Sequence, residues 1–232
     1  MKIWSRFLPL GFLVPALGFA ASINYTAAAM PNVSGFSQQI VFSGTSMSTD
    51  GSVLTMTTAN ARGVWFGSAS LTSSSAAGNY LAVDARFSSG ATAWSIYFGD
   101  GTNLALWELD GNSFAWQTSA GISASVSQDL STVFHRFEMW MQSGVVTYAL
   151  DGVNLFSGAA VAYGSNQLLI GDSSGPTIGG TGSMFVDGVT LLGGANYASA
   201  PPIPDNAPEP SSLLLALAGA GMLARRLARN HR

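Results

Sequence analysis

No cysteine occurs in the 232-residue chain, so disulfide staples, thiolate nucleophiles and thiolate metal sites are all excluded. Histidine is nearly as scarce, with His231 at the extreme end and only His135 in the body of the chain. Charged residues make up 9% of the total, and the bases are unevenly placed. Lys2 and Arg6 stand at the start and Arg225, Arg226, Arg229 and Arg232 at the end, which leaves Arg62, Arg86 and Arg136 between them. Against those three bases stand eleven acids, from Asp50 to Asp205. So acidic a body has no basic stripe to neutralise phosphates, which excludes nucleic acid as a partner. Sustained helical periodicity is also missing between Ile23 and Leu192.

What is present begins at the two ends. Lys2 and Arg6 precede an apolar stretch from Phe7 to Phe19, followed by the small residues Ala20, Ala21 and Ser22. That order reads as a signal peptide over 1–20, handled by the Sec translocon and a signal peptidase, with cleavage expected after Ala20. Pro9 and Pro15 argue against a buried helix in its place. At the other end Pro201, Pro202, Pro204 and Pro208 predict a stiff linker over 198–207. Beyond it, Leu213 to Ala224 form an apolar run well short of the roughly 20 residues that span a bilayer comfortably, with the arginine cluster behind it. Physically this is a marginal, transient membrane anchor.

The tail, residues 208–232, is similar to the PEP-CTERM sorting signal. The resemblance rests on the triplet Pro208, Glu209 and Pro210, the Gly/Ala/Leu-rich segment holding Gly219 and Gly221, and the pair Arg225 and Arg226. It implies recognition by an exosortase-type membrane enzyme of a Gram-negative bacterium. It also implies cleavage near the triplet and delivery to the cell surface or an exopolysaccharide matrix. A plain C-terminal membrane anchor is the alternative.

Residues 21–197 remain for one domain. A chain of that size buries roughly 70% of its unfolded surface and folds without disulfides. Short apolar or alternating runs recur through it: Ser52 to Thr57, Gly63 to Gly67, Tyr80 to Phe87, Ala93 to Phe98, Asn103 to Leu109, Phe114 to Thr118, Phe134 to Met141, Val145 to Leu150, Leu168 to Ile170 and Met184 to Leu192. Asp50-Gly51, Asp100-Gly101, Asp110-Gly111, Asp151-Gly152 and Asp187-Gly188 read as tight turns between them. The fold expected is all-β, an antiparallel sandwich of two sheets.

Four strings refine this: His135-Arg136-Phe137-Glu138, Tyr148 to Gly152, Ile170-Gly171-Asp172 and Phe185-Val186-Asp187. Together they resemble concanavalin A-like and laminin G-like jelly rolls, which implies that architecture for most of Ile23 to Leu192. Other β-sandwiches are the competing reading.

Some concanavalin A-like proteins are glycosidases, which need two carboxylates across the scissile bond. Glu108-Leu109-Asp110 resembles part of the laminarinase-type Glu-x-Asp-x-x-Glu pattern, but the third position is Ser113, so the second essential carboxylate is missing. No serine sits in a Gly-x-Ser-x-Gly elbow between a strand and a helix either, and His135 reads as a structural strand residue. The domain is therefore expected to be non-enzymatic, with no organic cofactor. A lone histidine without cysteine disfavours zinc. Calcium needs only oxygens, and Asp100, Asp172 and Asp187 near glycine-rich turns are its candidate ligands.

Sugar recognition needs aromatic faces beside polar grips. Trp94, Tyr97, Trp107, Trp116 and Trp140 are the stock. Trp107 and Trp140 are the expected platforms because polar residues share their faces, Arg136 and Glu138 beside Trp140. The expected function is thus an exported surface or matrix protein whose domain contacts extracellular polysaccharide. A purely structural or protein-binding module is the alternative.

Overall fold

The computed structural model describes residues 22–58, 63–68, 77–164, 166–172 and 180–204. Both apolar ends, and with them the signal peptide and the sorting residues Pro208, Glu209, Pro210, Arg225 and Arg226, lie outside the described residues. No described helix is long and apolar enough to cross a membrane.

Seventeen strands make up the described chain. The first six are β1 (Ser22–Tyr25), β2 (Gln38–Val41), β3 (Ser46–Thr49), β4 (Leu54–Thr58), β5 (Val64–Ser68) and β6 (Asn79–Phe87). The next six are β7 (Trp94–Asp100), β8 (Asn103–Asp110), β9 (Ser113–Thr118), β10 (Gly121–Ile122), β11 (Val126–Ser127) and β12 (His135–Gln142). The last five are β13 (Val145–Leu150), β14 (Val153–Ala159), β15 (Val161–Ala162), β16 (Asn166–Asp172) and β17 (Gly182–Gly193). An eight-stranded sheet runs β14-β13-β12-β6-β17-β4-β3, with β1 also pairing β17. A nine-stranded sheet runs β10-β9-β8-β7-β16-β5-β2, with β11 on β9 and β15 on β8. The order is non-sequential and every pairing is antiparallel, as in a jelly roll.

Alternation decides what goes inside. In β12, Phe137, Met139 and Met141 turn inward and are fully buried, while Arg136, Glu138 and Trp140 occupy the outer face. In β8, Ala105, Trp107 and Leu109 turn inward, and Leu106, Glu108 and Asp110 turn out. The two inner faces meet as one core, in which Trp107 of the nine-stranded sheet packs edge-on against Phe137 and Tyr148 of the other. Tyr148 ties the sheets further, its hydroxyl accepting the Leu106 N–H at 3.0 Å. Burial pushes that phenol above its ordinary pKa.

Local chemistry sets the hairpins. Ser143-Gly144 and Asp151-Gly152 both take positive φ at two successive residues, the twist-matched geometry for two-residue hairpin loops. Asp187-Gly188 departs from expectation. It lies inside β17, where the register with β6 shifts between Val186 and Gly188, so the pair makes a bulge in a long strand.

The chain beyond β17 folds back over the outer face of the eight-stranded sheet. A 3-10 segment, Gly194–Ser199, leads into a strap described as far as Pro204. Trp140 Nε1 donates to the Pro201 carbonyl at 3.0 Å, and the Asn154 side-chain amide donates to the Pro204 carbonyl at 3.1 Å. Tyr197 packs over Gly78 and joins Tyr80, Ala82, Trp140 and Ala149 in a second, smaller apolar cluster.

Candidate functional site

An open groove of about 660 Å³ lies on the outer face of the nine-stranded sheet, a size typical of small-ligand sites. Strand register builds it. Glu108 in β8 sits opposite Ser95 of β7 and Ala115 of β9, two small neighbours that leave its side chain standing in a trough. Tyr97 and Leu106, cross-strand partners one pleat away, form one end. Asp110 and Ser113 form the other, and the segment from Ile122 to Ser125 makes a side wall.

The two carboxylates of the groove differ in their surroundings. Asp110 is held: Oδ1 accepts the Ala93 N–H at 2.9 Å and Oδ2 accepts the Ser113 hydroxyl at 3.4 Å. Glu108 is exposed and has no hydrogen-bond or ion-pair partner among the described residues. Two residues apart on one strand face, their backbones are separated by about 7 Å, so both carboxylates address the same space. The groove can therefore accept hydroxyl donors at Glu108 against a half-buried tyrosine ring at Tyr97.

Trp65 was not anticipated from sequence. It is half-buried on the same outer face, and the row across the sheet reads Trp65, Gly171, Ser95, Glu108. The signal was available, because Trp65 alternates with Val64 and Phe66, both fully buried.

The aromatic platforms expected from sequence fall elsewhere. Trp107 is 0% exposed and faces the core, with its indole N–H lacking a partner among the described residues. Trp140 is 2% exposed, stacked on Tyr80 and covered by the strap. Neither ring presents a face to a ligand. Arg136 and Glu138 are committed to a closed network on the outer face of the eight-stranded sheet. Arg136 donates to both carboxylate oxygens of Asp84 at 2.8 and 3.1 Å and to the Tyr80 hydroxyl at 3.3 Å, with its Nε 3.5 Å from Glu138. Tyr80 in turn donates to Glu138 Oε1 at 2.7 Å. Burial raises the Asp84 pKa despite Arg136, and burial followed by the Glu138 bond raises Tyr80 strongly.

The three aspartates expected as calcium ligands do not converge. Asp100 caps its own turn, accepting the N–H groups of Thr102 and Asn103 at 2.9 and 2.7 Å. Asp172 is fully buried and accepts the Gly180 N–H at 3.1 Å. Because Asn166 pairs with Asp100, these two aspartates lie at opposite ends of β16, about 20 Å apart at the rise of a strand. Asp187 sits on the bulge of the other sheet. Among the described residues no cluster of three or more acidic or histidine side chains is placed to hold a metal. His135 is engaged at both ring nitrogens: Nδ1 meets Asp151 Oδ2 at 2.7 Å and Nε2 meets the Asp129 carbonyl at 3.1 Å.

No protein-family profile matches the chain, and no curated protein sequence matches it. Solved structures do. The Crh5 transglycosylase in complex with NAG superposes with a TM-score of 0.54 at 14% identity, over 75% of this chain and 84% of that one. A protein of unknown function from Shewanella oneidensis MR-1 gives 0.53 at 11% identity, over 79% and 90%. A Bacillus subtilis protein of unknown function with a galectin-like fold gives 0.50 at 8% identity, over 73% and 94%. Identities this low establish the fold, a concanavalin A-like jelly roll, and nothing finer. They do overturn the expectation of a non-enzymatic domain, since a transglycosylase shares this architecture over most of both chains.

Proposed function

We propose that this chain is an exported bacterial surface or matrix protein whose jelly-roll domain takes an extracellular polysaccharide in the groove around Glu108. The observation that carries the reading is the groove itself, an outward-facing trough in which an unengaged carboxylate stands between small residues beside a tyrosine ring. Its fold is shared with a transglycosylase crystallised with NAG. Affinity electrophoresis and calorimetry of the full chain against bacterial exopolysaccharides and β-glucans test it. Glu108→Gln removes a charge-assisted acceptor and is expected to weaken binding about 10- to 100-fold, the equivalent of one such hydrogen bond. A blank response across those glycans favours the structural or protein-binding module instead.

A second reading adds chemistry, because Glu108 and Asp110 share one face of the same groove. Retaining glycosidases place their carboxyls about 5 to 5.5 Å apart and inverting ones about 6.5 to 9.5 Å. Release or transfer of glycan ends that disappears in Glu108→Gln assigns turnover to this site. Retained turnover in that variant removes Glu108 from the reaction.

Delivery follows from the ends. The proposal is Sec export, signal-peptidase cleavage after Ala20, a transient inner-membrane stop at Leu213 to Ala224, and exosortase-type processing near Pro208, Glu209 and Pro210. Glu209→Ala, or removal of 213–232, is expected to alter membrane retention and surface delivery while leaving thermal unfolding of the domain within about 1 °C, since surface changes outside a core are nearly neutral. Mass spectrometry of cell-derived protein still ending at Arg232 and stably embedded counts against processing.

A further inference from the structure

The outer face of the eight-stranded sheet carries a feature that neither the groove nor the strap uses. Arg86 of β6 pairs directly across from Phe185 of β17, and Phe134 immediately precedes β12 on its other side. The guanidinium carbon lies 4.0 Å from the Phe185 ring centroid and 5.3 Å from that of Phe134. Arg86 is therefore held between two aromatic rings. The strap covers the opposite end of β6 at Tyr80, about 20 Å away at the rise of a strand.

Stacking engages the faces of a guanidinium and leaves its five N–H donors, which lie in its plane. Those donors have no hydrogen-bond or ion-pair partner among the described residues. That is unusual in so acidic a domain. The other described arginine, Arg136, is taken up by Asp84, Glu138 and Tyr80. Beside Arg86 the surface is apolar and open, with Phe134 36% and Val133 56% exposed. A rigid, unsatisfied fork beside an exposed aromatic face suits a planar carboxylate attached to a pyranose ring.

We propose that Arg86, clamped by Phe185 and Phe134, binds the carboxylate of a uronic-acid unit in an acidic polysaccharide. The site lies on the opposite face of the sandwich from the Glu108 groove and does not depend on it. A domain with both sites links two glycan strands. The acidity of the domain opposes such a ligand at long range, but at physiological salt charges beyond about 8 Å are largely screened. Asp187, exposed two residues past Phe185, is a local opponent, as is Asp84, two residues from Arg86 on the same face of β6 but paired with Arg136.

Calorimetry of the full chain with tetragalacturonate and neutral cellotetraose is the test. Arg86→Gln is expected to weaken tetragalacturonate binding at least tenfold with thermal unfolding unchanged. Arg86→Lys should not restore it, since an ammonium lacks the planar fork. Phe134→Ser should weaken binding by loosening the clamp, and Asp187→Asn should strengthen it a few-fold. No tetragalacturonate binding, or binding that survives Arg86→Gln, overturns the proposal and leaves the groove reading standing. An equal response to dextran sulfate overturns the assignment of the ligand as a carboxylate.

Discussion

Trp107→Ala is expected to lower the unfolding free energy by about 3 to 5 kcal/mol, the range for removing a large buried aromatic, as read by chemical denaturation of the full chain. The ring is fully buried and sits where the two sheets meet, with centroids of Tyr148, Phe137, Phe114 and Trp116 at 5.1, 5.6, 5.7 and 6.2 Å. Two of those neighbours belong to each sheet, so truncation opens a cavity at the joint itself. At roughly 2 to 4 °C per kcal/mol for a domain of this size, the midpoint of thermal unfolding should fall by about 10 °C. Trp107→Phe separates packing from polarity. It keeps most of the aromatic bulk and removes an indole N–H that has no partner among the described residues, so its cost should be far smaller. Equal losses in the two variants would mean that the site relaxes freely and that Trp107 does not join the sheets.

The same residue shows what alternation reveals and what it leaves open. Trp107 and Glu108 are adjacent in β8, so one must face the core if the other faces out. With Glu108 facing out, Trp107 cannot be the sugar platform expected from sequence. Parity does place Trp140 with Arg136 and Glu138, as expected from sequence. What local sequence cannot show is the cover. The strap that buries Trp140 comes from a partner 61 residues away, and the ion-pair network needs Tyr80 and Asp84 from β6.

Element recognition failed for a related reason. The long central strands, β6, β8, β12, β13 and β17, carry regular apolar alternation because one of their faces is core. β2, β3, β10, β11 and β15 do not. They are short or polar, lie at or near sheet edges, and owe their extended form to a neighbouring strand rather than to their own side chains. The Asp187-Gly188 pair shows the converse error. Its turn chemistry is sound, yet pairing with β6 on both sides of it keeps the chain in one strand and absorbs the register shift as a bulge.

Arg136→Met carries the second large effect, expected at about 2 to 3 kcal/mol. Removing one partner of a buried ion pair costs about 3 to 5 kcal/mol. That figure is reduced here because the Arg136 and Asp84 side chains are 38% and 32% exposed and water screens what is left behind. Glu138 has no such relief, being 5% exposed, and keeps only the Tyr80 hydroxyl. The pH dependence gives the sign. Burial already raises Asp84 above its unfolded pKa, and loss of the arginine raises it further. A carboxyl with a raised folded pKa contributes stability that is present below its unfolded pKa and lost as pH rises through the folded value. The deficit of Arg136→Met relative to the parent chain should thus be greatest near neutrality and shrink on acidification, as Asp84 takes up its proton. Binding in the Glu108 groove, on the far face of the sandwich, should be unchanged in this variant. A pH-independent deficit would point to lost packing of the arginine stem, and lost glycan binding without unfolding would return Arg136 to the role of a ligand contact.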